Sequence, residues 1–155
     1  MPTIARRLWC SCTIIDYLEG KPRAKDCELI IEQAKRRELE IVVSVVAMGE
    51  VAKIEGVADA EAEAKISQFF REYYVVPAAY DILVAEKVRD LIRRYKGLKP
   101  FDAAHVATAL QHSIPVLETF DDPLINLVGN KEPGLVIRHP LYEGARPLPG
   151  ISGST

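Results

Sequence analysis

Short β-branched or apolar runs alternate with longer amphipathic stretches along nearly the whole chain, and this alternation limits the fold more than any other feature. Strands separated by helices of ten or more residues cannot close as hairpins. They pair in parallel, with the helices as crossovers on the faces of the sheet. The expected strands are Thr3 to Trp9, Glu40-Ile41-Val42-Val43, Tyr74-Val75-Val76, Ile114 to Leu117 and Gly134 to Arg138. Helices are expected over 13–18, after a turn opened by Ser11 and Thr13, and over 23–37 and 45–53 with Ser44 as N-cap. Others start at Asp59 as N-cap, run over 80–95 and 100–111, and follow Asp122-Pro123 as a short piece. Their buried stripes are Cys27, Ile30, Ile31 and Ala34, then Ala62, Ile66, Phe69, Phe70 and Tyr73. Val84, Val88, Leu91, Ile92 and Tyr95 follow, and finally Ala103, Val106, Ala107 and Leu110. Gly20-Lys21-Pro22, Gly56 and Gly97 punctuate them. The fold class is therefore α/β, a three-layer α/β/α arrangement around a central parallel sheet of four to five strands.

A chain of 155 residues makes one domain and buries about 68–70% of its unfolded surface, enough for a core without disulfide or structural-metal staples. A metal would then serve function. The domain is expected over 1–139. Residues 140–155, rich in Pro and Gly, read as a mobile or loosely docked tail. Three cysteines, Cys10, Cys12 and Cys27, are an odd number, and Arg6 and Arg7 interrupt the only apolar stretch near the amino end, so no signal peptide is read. A reducing cytoplasm fits that usage. No run approaches the roughly 18 apolar residues of a membrane span.

In an open parallel sheet, ligands bind beyond the carboxyl ends of the strands. The polar residues in those places are Cys10, Ser11 and Cys12 after the first strand, Ser44 and then Glu50 after the second, and Thr119, Asp121 and Asp122 after the fourth. Asp102 joins them if the helix starting at Pro100 points its amino end at the same rim. Carboxylates gathered on one rim repel one another and need a counter-ion, and their oxygens suit Mg²⁺ or Mn²⁺. A hard divalent ion with open positions is equipment for phosphodiester hydrolysis. Each acid also has a plainer reading: Glu50 as a solvated helix acid, Asp102 as a partner of the helix dipole, Asp122 as the N-cap before Pro123. That cap assignment leaves Asp121 without a local structural duty. His105, three residues after Asp102, either touches a ligand or is a hydrogen-bonded core histidine.

The chain resembles the PIN-domain ribonucleases, and among them the VapC-like toxins of toxin–antitoxin pairs. The similarity spans roughly residues 4–137. Its segments are the stretch from Leu8 through Cys10-Ser11 to Gly20, Ser44 followed six places later by Glu50, Leu98 through Asp102 to Leu110, and Thr119-Phe120-Asp121. The resemblance implies a Rossmann-like, PIN-like sheet and an acidic site for Mg²⁺ or Mn²⁺. It implies endonucleolytic cleavage of RNA by a homodimer silenced by an antitoxin. Carried over position by position, Glu50, Asp102 and Asp121 match the family's catalytic and metal-binding acids and Ser11 the hydroxyl residue after its first acid; Asp122, on the same rim, is taken as a supporting residue. Cys10 stands where the family has its first Asp. A thiol is protonated near neutral pH, and its thiolate is a soft ligand better suited to Zn²⁺, so the departure weakens hard-metal binding and puts activity in question. A Cys10-x-Cys12 zinc half-site is the other use of that thiol, but Cys27 sits in a core stripe and does not complete it.

Arg6, Arg7, Arg36, Arg37, Arg93, Arg94, Lys96 and Lys99 form basic clusters in a chain whose formal net charge is −2, from 20 Lys plus Arg and 22 Asp plus Glu. This balance excludes a simple nucleic-acid-coating protein. The expectation is a metal-dependent endoribonuclease, probed by the fate of Cys10. The alternative is a non-catalytic PIN-like module binding RNA or protein. A small-molecule phosphatase is disfavoured, because the chain has no Gly-rich phosphate loop.

Overall fold

The computed structural model describes residues 4–144. Five strands, β1 (Ala5–Trp9), β2 (Leu39–Ser44), β3 (Val75–Ala78), β4 (Val116–Glu118) and β5 (Val136–Arg138), form one sheet in the order β3-β2-β1-β4-β5. All four pairings are parallel. The helices are α1 (Ser11–Leu18), α2 (Lys25–Lys35), α3 (Val45–Glu50), α4 (Asp59–Arg71), α5 (Ile82–Arg94), α6 (Pro100–Gln111) and α7 (Asp122–Leu127). The expected three-layer α/β/α class with a five-stranded parallel sheet is what the chain adopts.

Side chains alternate across the strands, and each face of the sheet builds its own core. Leu8, Val42, Leu117 and Ile137 pack with α5, α6 and α7 through Val84, Leu91, Ala103, Ala107 and Leu124. Trp9, Ile41, Val43 and Val75 pack with α1, α2 and α4 through Ile14, Ile30, Ile31, Ile66 and Phe69. The chain winds outward from β1 to β3, then crosses back through α5 and α6 to β4 on the other side of β1. The strand order therefore reverses between β1 and β4, which opens a crevice at their carboxyl ends.

Several boundaries differ from the sequence reading, each for a local reason. Thr3 lies outside the described residues, and β1 starts at Ala5. No turn separates β1 from α1: Cys10 is the N-cap, its carbonyl accepts from Thr13 and Ile14 N–H at 3.1 Å, and the Thr13 hydroxyl donates to the Glu118 carbonyl at 2.9 Å. Ser44 does cap α3, accepting from Val46 N–H at 3.2 Å, but α3 stops at Glu50 rather than Lys53. Asp59 is not a cap; Ala58 is, and Asp59 sits in the first turn of α4, where it favours the helix dipole. Tyr73 lies beyond α4 and is exposed, as is Ile92 on α5. Pro77 stands inside β3, which tolerates it because β3 is an edge strand.

At α7 the correction bears on the site. Asp121, not Asp122, is the N-cap, and Asp122 is the first helical residue. The Asp121 side chain makes no capping bond, so its carboxylate is spared local duty by a different route from the one the sequence suggested.

Residues 145–155 of the expected tail lie outside the described residues. Its described beginning is not loose. Leu141 N–H donates to Glu118 Oε2 at 3.0 Å, the Leu141 carbonyl accepts from Arg7 at 2.6 Å, and Tyr142 N–H donates to Asp26 at 2.8 Å.

Candidate active site

The crevice at the switch point is a cleft of about 280 Å³ lined by Cys10, Ser11, Cys12, Arg23, Glu50, Asp102, His105, Thr119, Phe120 and Asp121. The fold explains how residues 111 positions apart come together. Cys10 and Ser11 start α1 directly after β1, Glu50 ends α3 one and a half turns after β2, and Thr119 to Asp121 follow β4. Asp102 lies in the first turn of α6, whose amino end does point at this rim.

Glu50 is the best anchored of the three acids. Its Oε1 accepts from the Ser11 hydroxyl at 2.7 Å and lies 3.0 Å from His105 Nε2. The His105 hydrogen bond holds the Glu50 carboxyl below the ordinary carboxylate range; partial burial opposes it and the Ser11 bond assists. Asp102 is shifted the other way. Burial raises its carboxyl, and the neighbouring Asp121 charge adds to the rise, with His105 and Lys99 offsetting part. Among the described residues, no ion pair or side-chain hydrogen bond reaches the carboxylate of Asp102 or Asp121. Two acids thus face one cleft with no protein cation bound to either.

Cys10 forms the floor. It is buried within the apolar cluster of Leu8, Val42 and Ala104, and burial, reinforced by Cys12, pushes its thiol well above the ordinary range. A thiol so held stays protonated and offers no oxygen to a hard ion. Thr119 is also fully buried; its hydroxyl oxygen accepts from Asp121 N–H at 3.1 Å and lies 3.2 Å from Cys12 Sγ, fixing the turn that presents Asp121.

The donor chemistry fits Mg²⁺ or Mn²⁺. Such ions keep several waters and take one or two carboxylates, and Asp102 and Asp121 supply that number of unpaired oxygen-bearing groups. Among the described residues, no three His, Cys, Asp or Glu side chains already stand close enough to enclose an ion. The same fact leaves the Cys10-x-Cys12 zinc half-site without partners.

Asp122, grouped with the site from its sequence position, does not line the cleft. It is exposed and pairs with His139 Nε2 at 2.6 Å. His105 is a buried, hydrogen-bonded histidine, and the group it bonds is a site acid. Sequence reasoning passed over Arg23. It lines the cleft with its guanidinium 4.7 Å above the Phe120 ring and its Nε bonded to Asp16. Of the basic clusters singled out, Arg7 is buried against Glu118 at 3.1 Å and Arg94 is held by Glu132 and Asp90. Lys99 alone among them stands close enough to the acids to lower the Asp102 carboxyl.

A parallel α/β domain with an acidic cleft at its switch point defines the class. The chain belongs to the PIN domain family, whose model matches residues 11–129. The fold is also that of solved toxin–antitoxin structures. Against DNA-bound VapBC from Salmonella typhimurium the TM-score is 0.68 at 16% identity, covering 89% of this chain and 100% of that one. A toxin–antitoxin complex from Klebsiella pneumoniae gives 0.60 at 22% identity, covering 84% and 95%. VapBC2 from Rickettsia felis, bound to a DNA fragment from its promoter, gives 0.63 at 14%, covering 86% and 98%. Comparison with curated protein sequences finds no match. No helix among the described residues is long and apolar enough to cross a membrane.

Proposed function

We propose that this PIN domain is a metal-dependent endoribonuclease, the toxin of a toxin–antitoxin pair, acting on RNA in the cytoplasm as a homodimer. The observation that carries the reading is the pair Asp102 and Asp121, two carboxylates on one cleft with no bound protein cation among the described residues. Asp102, Asp121 and the free oxygen of Glu50, oriented by Ser11 and His105, would hold Mg²⁺ or Mn²⁺. Such an ion lowers the pKa of bound water and offsets charge on a phosphoryl oxygen. Arg23 lines the cleft and is placed to meet a phosphate of the substrate. The solved structures that share the fold are toxin–antitoxin complexes, which supports an antitoxin as partner.

Cys10 favours a second reading, a PIN module that binds without cutting, because its buried thiol replaces an expected ligand oxygen. One experiment separates the two. RNA is incubated with Mn²⁺ or Mg²⁺ and the chain, its Cys10→Asp variant, and Glu50→Gln and Asp102→Asn controls. Cleavage by the chain that both controls abolish is the expected result. Cleavage surviving both controls would sink the nuclease reading, and cleavage by Cys10→Asp alone would make the present chain a disabled nuclease. No cleavage by either favours the binding module.

A further inference from the structure

We infer that His105 is a positioning residue, whose Nε2–H together with Ser11 claims one oxygen of Glu50 and leaves the other to the cleft. The inference deepens the proposed function and rests on it only in taking Glu50 to act in the cleft.

His105 is 2% exposed, on the tightly buried helix α6. Its Nε2 lies 3.0 Å from Glu50 Oε1, whereas its Nδ1 is buried with no hydrogen-bond partner. The two nitrogens decide the tautomer. An ionised carboxylate only accepts, so the nitrogen facing it carries the proton. In the other tautomer the proton on Nδ1 would be a buried donor without an acceptor, which costs more than a bare lone pair.

The Ser11 hydroxyl donates to the same Oε1 at 2.7 Å. Two donors use the lone pairs of that oxygen. No hydrogen bond among the described residues occupies Oε2, and Glu50 lines the cleft with a quarter of its side chain accessible. One oxygen atom therefore ties together the start of α1, the end of α3 and the middle of α6. A filler of the core would not need a polar ring here. An aliphatic side chain would fill the same space without leaving an unsatisfied Nδ1. The polar ring is explained by what it holds.

The test uses the full chain and two readouts that do not need turnover. In ¹⁵N NMR of the histidine rings, assigned with single variants of His105, His112 and His139, His105 is expected to show Nε2 protonated and Nδ1 bare. Its Nε2–H signal should move in Glu50→Gln. A proton on Nδ1 would overturn the inference. Mn²⁺ affinity, measured without RNA, is expected to fall about 10–100-fold in His105→Leu, the usual cost of losing a group that orients a ligand. It should be largely recovered in His105→Gln, whose amide N–H replaces the donor. Leucine binding Mn²⁺ as the parent does, or glutamine doing no better than leucine, would overturn it. If the parent itself binds no Mn²⁺, the proposed function fails while the NMR result still decides His105. If His105→Leu does not fold, glutamine and the NMR result decide it.

Discussion

Glu50 and His105 meet at 3.0 Å through Oε1 and Nε2, while Asp102, three residues before His105 on the same helix, has no such donor. Two acids of one cleft are thus held in opposite electrostatic states, Glu50 stabilised as an anion and Asp102 strained as one.

The first prediction concerns stability without metal. The Glu50 carboxyl is lowered in the folded protein, so it contributes stability above the ordinary Glu range that is lost as pH falls through the lowered value. The Asp102 carboxyl is raised, so its contribution is full below the ordinary Asp range and is lost as pH rises through the raised value. At neutral pH in EDTA, Glu50→Gln is expected to destabilise by about 1 kcal/mol and Asp102→Asn to stabilise by a few tenths. Both differences should shrink in acid. Thermal unfolding from acidic to neutral pH measures this, and a destabilised Asp102→Asn at neutral pH would contradict it.

A second prediction lies beneath the site. Glu118 is fully buried on β4, with Arg7 at 3.1 Å, Trp9 Nε1 at 3.0 Å and Leu141 N–H at 3.0 Å. Burial raises its carboxyl, and Arg7 pulls it back. Glu118→Leu takes the buried carboxylate from Arg7, which keeps only the Leu141 carbonyl and the exposed Glu143 carboxylate, and is expected to cost about 3 kcal/mol. Removing residues 140–155 takes away the Leu141 donor to Glu118, the Leu141 carbonyl and Glu143 carboxylate that Arg7 holds, and the Tyr142 bond to Asp26, and is expected to cost about 1–3 kcal/mol. Denaturant unfolding compares the two. A truncation without cost would mean that these bonds contribute nothing.

The alternation of strands and helices in the sequence was enough to reach the sheet, its direction and the rim where Glu50, Asp102 and Asp121 gather. Periodicity records which side of an element is buried, and strand ends record where a parallel sheet binds. It did not reach Glu118, because a charged residue at the end of an apolar run marks a boundary, and only the buried partners Arg7 and Trp9 pull it inside the strand. Arg23 was equally silent. It follows Pro22 in a single 3-10 turn, and its place at the cleft depends on Asp16 and Phe120, one from the preceding helix and one from the segment after β4. The capping of α7 was misplaced by one residue because Asp-Pro fits a cap at either Asp; the backbone of Asp121 takes the extended cap geometry and Pro123 falls second.

A third prediction follows for Arg23. Its guanidinium is more than half exposed on the cleft and already oriented by Asp16 and the Phe120 ring. If it meets a phosphate, Arg23→Ala weakens single-stranded RNA binding at every sequence alike and lowers the slope of log affinity against log salt by about 0.7, one contact's worth for a single strand. Arg36→Ala, in a pair with Glu38 outside the cleft, should leave both unchanged. Anisotropy titrations at several salt concentrations, with Mg²⁺ omitted to prevent cleavage, provide the comparison. An unchanged slope in Arg23→Ala would remove it from the phosphate path.

Cys10 gives the last prediction, in which cost and gain are separable. The residue is the N-cap of α1 with extended backbone angles of φ −70° and ψ 163°, a position that aspartate occupies readily and where a negative charge is favoured. Its side chain, however, is 4% exposed in an apolar cluster and feels the charges of Asp102 and Asp121. Without metal, Cys10→Asp adds a third acid to two that already lack a cation, and is expected to destabilise by about 1–3 kcal/mol. With Mg²⁺ the same carboxylate becomes a ligand. Binding only to the folded state stabilises by about 2.7 kcal/mol when the ion is a hundredfold above its dissociation constant. The variant should therefore melt below the parent in EDTA and gain more than the parent on adding Mg²⁺, so that the two curves approach or cross. Unfolding temperatures across a Mg²⁺ series, in the parent and in Cys10→Asp, read this directly. Parallel curves would mean that residue 10 does not face the ion.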